Sequence, residues 1–169
     1  IQDIDPSNTI NGKPIYYWVN QQDQQIPSDA GFVGIVNSEN ITVSGLTLTN
    51  NMKGVLLAYS TNSRIENITV ENNYFGIHVD NSDNNTLTGN HVSGNCYGIY
   101  LINSSRYNLL TGNNSENNLY AGITCNYSQN NTLTGNNVSG NYQYGNGIYL
   151  QYSDNNILTG NNCDRNAYY

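Results

Sequence analysis

The chain has 169 residues and a formal net charge of −7, and only 10% of its residues are charged. Soluble domains ordinarily carry about 25% charged residues, so this composition excludes a surface built on salt bridges. The negative charge argues against nucleic acid as a partner, because phosphate binding needs a basic patch. Asparagine occupies 34 positions, a bias compatible either with a disordered low-complexity tract or with a regular solenoid.

Residues 1–30 contain no regular repeat and are predicted to form an N-terminal cap or a partial coil. The chain begins at Ile1 rather than at Met, and it has no apolar run long enough to span a membrane. These features predict a processed or partial chain of an exported protein. The expected location is extracellular or at the cell surface, without a membrane-spanning segment.

From residue 31 onwards the sequence repeats every 22 to 25 residues. Each repeat starts at a glycine: Gly31, Gly54, Gly76, Gly98, Gly122 and Gly147. Aligned repeats place aliphatic residues in columns, for example Val55, Ile77, Ile99, Ile123 and Ile148. Short apolar runs with a period of two indicate strands, and one repeat cannot bury its apolar side alone. Residues 31–169 are therefore predicted to stack as an all-β parallel β-helix of about six coils.

Polar residues also form columns, which decides against disorder. Asparagine both donates and accepts hydrogen bonds and tolerates a left-handed backbone, so stacked asparagines are expected to form a ladder at a sharp bend. The predicted ladder contains Asn51, Asn73, Asn95, Asn118, Asn141 and Asn166. A second column contains Asn90, Asn113, Asn136 and Asn161. A serine column is predicted through Ser38, Ser60, Ser82, Ser104, Ser128 and Ser153.

The repeat pattern G-I-x-L-x-x-S-x-N-N-x-L-T-G-N-x-V-S-x-N resembles the right-handed β-helix repeats of NosD-type proteins. It also resembles surface proteins of methanogenic archaea that are built from such repeats, and residues 7–27 resemble the segment that precedes the repeats in those proteins. The resemblance implies a right-handed β-helix. It does not choose a function, because the family includes copper-site maturation proteins, polysaccharide-active enzymes and structural coats.

No catalytic or metal-binding constellation is recognised in the sequence. The resemblance implies that enzymes of this fold use clustered acidic residues in a groove walled by long loops, and repeats of this length leave no room for such walls. Asp83 and Asp154 share a column but lie three coils apart. His78 and His91 are expected to point outward from different faces, which does not make a metal site. The sequence thus predicts no catalytic residues, no metal, no cofactor and no enzyme activity.

Tyrosines on the predicted outer surface allow two interpretations. Tyr100 and Tyr149 lie on the outward side of the first strand of their coils, as in a sugar-binding face, and Tyr59, Tyr127 and Tyr152 share a column beside a bend. Tyrosine buries large areas and keeps a hydrogen-bonding tip, which suits self-association as well. Structural contact is favoured here, with carbohydrate recognition as the alternative.

Two kinds of chemical modification are predicted from the sequence. Cys96 follows the asparagine bend and is the candidate for an exposed thiol that bonds to another molecule, whereas Cys125 and Cys163 replace aliphatic residues. Candidate N-glycosylation sites are Asn40, Asn67, Asn84, Asn126, Asn130 and Asn137.

The sequence as a whole predicts a non-enzymatic structural protein of an archaeal surface coat, sheath or filament. It is expected to self-associate head-to-tail through the open ends of the β-helix and laterally through its Tyr- and Asn-rich faces, with surface glycans as further partners. The alternatives are a polysaccharide-binding or polysaccharide-cleaving β-helix and a NosD-like periplasmic accessory of copper-site maturation.

Overall fold

The computed structural model describes residues 2–142 and 145–168, and these residues form an all-β solenoid without helices. The predicted fold class is confirmed. Each of the five coils within residues 32–139 contributes one longer strand and two three-residue strands, and the last coil contributes one strand of each kind; these strands stack on their counterparts in the next coil and build three parallel sheets. Positions 1 and 169, the outer bounds of the two predicted segments, lie outside the described residues, as do positions 143 and 144. No helix in the described part of the chain is long and apolar enough to cross a membrane.

The first sheet contains the longer strands. In spatial order they are β1 (Thr9–Ile10), β2 (Lys13–Val19), β3 (Phe32–Val36), β6 (Lys53–Ala58), β9 (Phe75–Asp80), β12 (Tyr97–Ile102), β15 (Ala121–Asn126) and β18 (Asn146–Gln151). Only the short β1 pairs antiparallel, with β2. Because β2 pairs in parallel with β3 and Ile26 is fully buried, residues 13–26 form a partial coil beneath the first complete one.

The other two sheets consist of the three-residue strands. The second sheet contains β4 (Thr42–Ser44), β7 (Arg64–Glu66), β10 (Thr86–Thr88), β13 (Leu109–Thr111), β16 (Thr132–Thr134) and β19 (Ile157–Thr159). The third sheet contains β5 (Thr47–Thr49), β8 (Thr69–Glu71), β11 (His91–Ser93), β14 (Asn114–Glu116) and β17 (Asn137–Ser139).

The aliphatic residues that share a column in the aligned sequence are paired neighbours on adjacent strands of these sheets. Ile77 pairs with Ile99, which pairs with Ile123, and all three are fully buried. Burial of one aliphatic side chain contributes about 1.5–3 kcal/mol, so the stacked columns supply the main stabilisation of the solenoid. In the last described coil the same columns become more exposed, with Leu150 at 38% and Leu158 at 44%.

At each bend, two adjacent residues provide the left-handed backbone and the ladder side chain, which the sequence analysis had assigned to a single asparagine. The ladder asparagines do not have a left-handed backbone. The preceding residue has it instead, as at Asn50, Asn72 and Gly94, whose φ angles are 58°, 56° and 64°. A left-handed residue turns the chain, and the next residue then points its side chain inward, where it can bond to the coils on either side.

The serine column also differs from the prediction, since it passes through Ser105 rather than Ser104. The backbone N–H of Ser82 donates to Ser105 Oγ at 3.2 Å, and Ser105 is fully buried whereas Ser104 is exposed. The bend in this coil holds two left-handed residues, Asn103 and Ser104. The additional bend residue moves the inward position forward by one.

Candidate functional site

The outer face of the first sheet carries the largest group of aromatic side chains in the described structure. We call Tyr74, Phe75, His78, Tyr97, Tyr100 and Tyr120 the aromatic cluster. Phe75 and Tyr97 are paired neighbours at the starts of β9 and β12, and His78 and Tyr100 are paired neighbours three residues later. The parallel register thus brings side chains 22 residues apart in sequence into direct contact.

The rings of the cluster pack against each other rather than standing apart. Phe75 and Tyr97 are stacked, with ring centroids 5.4 Å apart and planes at 17°. Tyr97 also contacts Tyr100 and Tyr120, each at a centroid distance of 5.2 Å. The Lys53 ammonium lies 5.9 Å from the centroid of Phe75, within the range of a cation–π contact. The result is a continuous aromatic surface spanning three coils.

Several polar atoms of the cluster and of its neighbours on the first sheet have no hydrogen-bond partner among the described residues. Both ring nitrogens of His78, the hydroxyl of Thr124 and Oδ1 of Asn126 are buried and make no hydrogen bond within the described part of the chain. All three residues are on the first sheet, and Thr124 pairs with Tyr100. Buried polar groups are nearly always paired. An aromatic surface with several unpaired polar atoms is the composition expected of a ligand-binding site.

The environment of His78 also changes its ionisation. Burial among the aromatic rings lowers the pKa of His78 from 6.5 to about 4, the positive charge of Lys53 adds to the lowering, and the carboxylate of Asp80 opposes it. The imidazole is therefore neutral at pH 7. Perturbed pKa values are more frequent at functional sites than elsewhere.

We expect this shift to make the stability of the protein fall in mild acid. Between pH 6.5 and about pH 4 the unfolded chain binds a proton at His78 and the folded chain does not. The free energy of unfolding is therefore unaffected by this group above pH 6.5, and it decreases as the pH falls from 6.5 towards 4. The expected loss is about 2 kcal/mol, less than the full shift would give because the ring is not wholly buried.

Urea unfolding at both ends of this pH range measures the effect. The replacement His78→Gln should remove it, and the comparison with the wild type cancels the acidic groups that titrate in both proteins. An equal pH dependence of the two proteins would contradict the assignment.

The second histidine is far from the cluster, on the outer face of the third sheet. His91 Nε2 lies 3.9 Å from a carboxylate oxygen of Glu71 and 4.0 Å from one of Glu116, and its Nδ1 is 3.1 Å from the amide of Asn114. Glu71 and Glu116 are on strands either side of β11, about 9.6 Å apart at two strand spacings. The side chains of both glutamates nevertheless reach the same imidazole nitrogen from opposite sides of β11.

The predicted ladder residues face the interior. From Asn73 to Asn141 each side-chain amide donates to Oδ1 of the next asparagine in the column, at 2.8–3.2 Å, and Asn166 is the last acceptor. Asn51 joins only through its backbone N–H, which donates to Asn73 Oδ1. The second column, from Asn90 to Asn161, bonds in the same way. A third column was not recognised in the sequence and contains Asn85, Asn108, Asn131 and Asn156.

The candidate glycosylation sites fall into two groups. Four of them have left-handed backbones at bends: Asn40, Asn67, Asn84 and Asn130. The other two are on strands. Asn126 lies at the end of β15 beside the aromatic cluster, with its amide 3.5 Å from the hydroxyl of Tyr100, and Asn137 bonds to Asn114 and Asn162 on the third sheet. Glycosylation at these sites stays a prediction.

The three cysteines are free thiols in different environments. Cys96 and Cys163 are half-buried, and Cys125 is fully buried. Burial raises the pKa of Cys125 to about 12, which makes it unreactive near neutral pH. Burial also raises the pKa of Cys163. An intermolecular bond through Cys96 stays a prediction.

The sequence analysis found Tyr100 and Tyr149 on the outer face but missed the centre of the cluster. Phe75 and Tyr97 immediately precede the repeat glycines, in one column with Lys53 and Ala121. Comparison of the residue before each glycine would have found this column. The contact with Tyr74 and Tyr120, which belong to the preceding bends, depends on side-chain packing.

Comparison with known proteins decides the family. A family model described as "Periplasmic copper-binding protein (NosD)" matches residues 7–169, nearly the whole chain. The chain belongs to the NosD family. The predicted resemblance to NosD-type repeats is thereby confirmed, while the narrower link to surface proteins of methanogenic archaea stays a prediction. No protein with a curated description matches the chain.

The copper in the description of the NosD family can be tested against the side chains of this member. Copper sites combine imidazole, thiolate or thioether ligands. Within residues 2–142 and 145–168 no three His, Cys, Asp or Glu side chains are arranged to hold a metal ion. His78 is enclosed by aromatic rings, and the charged groups beside His91 are carboxylates rather than the imidazole or sulfur ligands that copper prefers. The described residues therefore do not fit a copper site.

Two solved structures of an enzyme share the fold. They are a double mutant and a single mutant of the periplasmic alginate epimerase AlgG, each with a TM-score of 0.53. Sequence identity is 18% and 19%, and the matches cover 78% and 86% of this chain and 47% of the other. The NosD-family chain thus spans about half the length of these proteins, and the likeness shows the fold.

The prediction that the chain is not an enzyme is contradicted by this match. It rested on coil length and on the scatter of acidic residues, but the β-helix with which the structure aligns belongs to an epimerase. The β-helix fold therefore gives no ground for excluding enzyme activity.

Proposed function

We propose that the protein binds a polysaccharide chain on the outer face of the first sheet. The observation that carries the proposal is the aromatic cluster, a continuous surface of packed rings on a sheet face that also holds the unpaired polar atoms of His78, Thr124 and Asn126. The apolar faces of sugar rings pack on aromatic side chains, and their hydroxyl groups both donate and accept hydrogen bonds. Neutral imidazole, hydroxyl and amide groups suit such a ligand.

The direction of the surface suits a polymer. Leu56, His78, Tyr100, Thr124 and Tyr149 follow one another in register along the solenoid axis, one in each coil. Successive positions are separated by about 4.8 Å. A polysaccharide that lies along the axis therefore meets side chains of the same face repeatedly, whereas a small ligand meets only a few of them.

Binding is expected to fall at least about tenfold when Tyr97 is replaced by alanine, because this ring contacts four others and aromatic anchors contribute about 2 kcal/mol at binding sites. Affinity electrophoresis and calorimetry with a panel of bacterial and archaeal polysaccharides measure the change. Tyr107→Asn is the matched control, since Tyr107 is 59% exposed and outside the cluster.

The proposal fails if no polysaccharide binds the wild type, or if Tyr97→Ala and Tyr107→Asn bind it equally well. Glycan recovered from the mixtures should also be analysed for new ends and for epimerised units, because the fold is shared with an epimerase. Such a change, if removed by Tyr97→Ala, would extend the proposal from binding to catalysis at the same face.

The proposed location is the periplasm or the cell exterior. The NosD family description and the AlgG structures both name periplasmic proteins, and a polysaccharide ligand would be encountered there. The coat, sheath or filament role remains a second candidate, favoured by the exposed, stacked pair of Tyr127 and Tyr152, whose centroids are 4.7 Å apart. A polysaccharide-binding face on the first sheet and lateral contacts at this bend are mutually compatible.

A further inference from the structure

A bulky residue occupies a left-handed backbone position at the edge of the first sheet. Tyr59 has a φ of 53° and is 61% exposed. The two adjacent coils have Asn37 and Asn81 at the equivalent position, and the same column also contains Tyr127 and Tyr152; all of these residues have left-handed backbones. Asparagine adopts this conformation readily, whereas a bulky side chain there is an outlier. Such outliers concentrate at functional sites, and the three tyrosines of this column occupy a position that asparagine fills without strain.

The ring of Tyr59 forms one wall of an apolar pocket. The pocket has a volume of about 380 Å³ and is lined by Tyr17, Val36, Asn37, Leu56, Ala58 and Tyr59. We call it the Tyr17–Tyr59 pocket. A separate, more polar pocket of about 590 Å³, lined by Glu39 among others, lies on the other side of Tyr59. The tyrosine therefore separates an apolar cavity from a polar one.

The opposite wall depends on a glycine. Tyr17 and Gly34 are paired neighbours on β2 and β3, and a Cβ atom on Gly34 would lie 2.6 Å from Cδ2 of Tyr17. The ring of Tyr17 thus lies over the glycine, in space that any side chain at position 34 would occupy. Tyr17, whose ring lies over Gly34, and Tyr59 thus line the pocket together with the aliphatic side chains of Val36, Leu56 and Ala58.

The pocket is continuous with the face that carries the aromatic cluster. Leu56 lines the pocket and pairs with His78 of the cluster, which pairs with Tyr100. From Gly34 to Tyr100 is about 14 Å, or three strand spacings of about 4.8 Å. A polymer on the cluster can therefore extend into the pocket without leaving the sheet.

The charges around the pocket distinguish between classes of sugar. No Lys or Arg lines it within the described residues. The lysine on the same strand, Lys53, is at the other end of β6 and near Phe75. A uronate carboxylate in the pocket would lose hydration without gaining a cation, and the net charge of −7 opposes it further.

We propose that the Tyr17–Tyr59 pocket is a second sugar subsite that takes one uncharged pyranose unit of the bound polysaccharide. This inference rests on the proposed function and adds to it a position and a substrate class. The sugar ring lies between the two tyrosine rings on Val36 and Ala58, and Asn37 supplies the polar group at the rim. Uncharged glycans are the ligands, and polyuronates such as alginate are excluded.

The test compares uncharged oligosaccharides of increasing length with matched uronate oligosaccharides by calorimetry. The variants are Tyr59→Asn, which restores the residue of the neighbouring coils, Gly34→Ala, which displaces Tyr17, and Tyr59→Phe, which keeps the ring. Tyr59→Asn and Gly34→Ala should weaken the binding of long uncharged oligosaccharides about tenfold and remove the affinity gained by lengthening them. Tyr59→Phe should stay near the wild type.

Failure of the subsite and failure of the proposed function give different results. If Tyr97→Ala weakens binding but Tyr59→Asn and Gly34→Ala leave it unchanged at every length, the function stands and the subsite is wrong. Tighter binding of uronates than of uncharged sugars would overturn the substrate class. If the wild type binds neither series, the proposed function falls and the subsite with it.

Discussion

Replacing Asn95 with alanine is expected to lower the free energy of unfolding by about 3–4 kcal/mol. Asn95 is 2% exposed and lies in the middle of its column. Its Oδ1 accepts from both the backbone N–H and the side-chain amide of Asn73, at 2.9 and 3.0 Å. Its amide donates to the carbonyl oxygens of Val70 and Ser93 and to Oδ1 of Asn118. Each buried group left without a partner costs about 1–3 kcal/mol.

The matched control is Asn114→Ala. Asn114 belongs to the next coil and is half-buried on the outer face of the third sheet, where its Oδ1 accepts from Asn137 at 2.8 Å. Water can replace both this bond and the contact of the Asn114 amide with His91, so the expected cost is under about 1 kcal/mol. Chemical unfolding of both variants measures the difference. Equal destabilisation would mean that the inward column does not stabilise the solenoid as a ladder.

The second large effect is expected at Gly76, where an alanine should cost about 2–3 kcal/mol. A Cβ atom there would lie 2.5 Å from Cγ1 of Val92 and 2.6 Å from the backbone oxygen of Gly98. Both atoms belong to stacked strands, so neither can move without disturbing its own coil. The glycine at the start of each repeat is therefore required by space within the coil and not by backbone conformation.

Gly112→Ala separates these two causes. Gly112 has a φ of +62°, and a Cβ atom there would meet nothing within 4 Å. The expected cost, about 1 kcal/mol, comes only from the left-handed backbone. Thermal and chemical unfolding should rank Gly76→Ala below Gly112→Ala in stability. The reverse order would show that the space next to Gly76 opens more easily than the structure indicates.

The binding surface and the copper description of the NosD family lead to different experiments. The described residues offer stacked aromatic rings and uncharged polar atoms on the first sheet and no convergent set of metal donors. The polysaccharide experiments have the stronger structural basis. We do not transfer alginate, the substrate class named for the fold neighbours, to this chain, because no Lys or Arg among the described residues lines the Tyr17–Tyr59 pocket.

How much of the site was predictable can be seen from individual residues. Tyr100 was placed on the outer face from sequence alone, because it alternates with the inward Ile99 and Leu101. The stacking of Phe75 on Tyr97 required the coil register, and the contact of Tyr97 with Tyr120 required the packing of a bend against a strand. Tyr59 was recognised from the sequence as a member of a column, but neither its left-handed backbone nor the pocket that it lines can be predicted from the amino-acid sequence.

The amino-acid sequence by itself determined the repeat period, the inward columns and the stacking of coils, because each of these is a periodic property and the same pattern recurs in every repeat. Ser105 shows the limit: one additional left-handed residue moved the inward position, and no periodic pattern reports such a local shift. Only the tertiary structure decided which outward side chains contact each other, which polar atoms on the same face have no hydrogen-bond partner within the described structure, and where a pocket opens. Those properties depend on side-chain direction and volume across neighbouring coils, where the sequence sets no period.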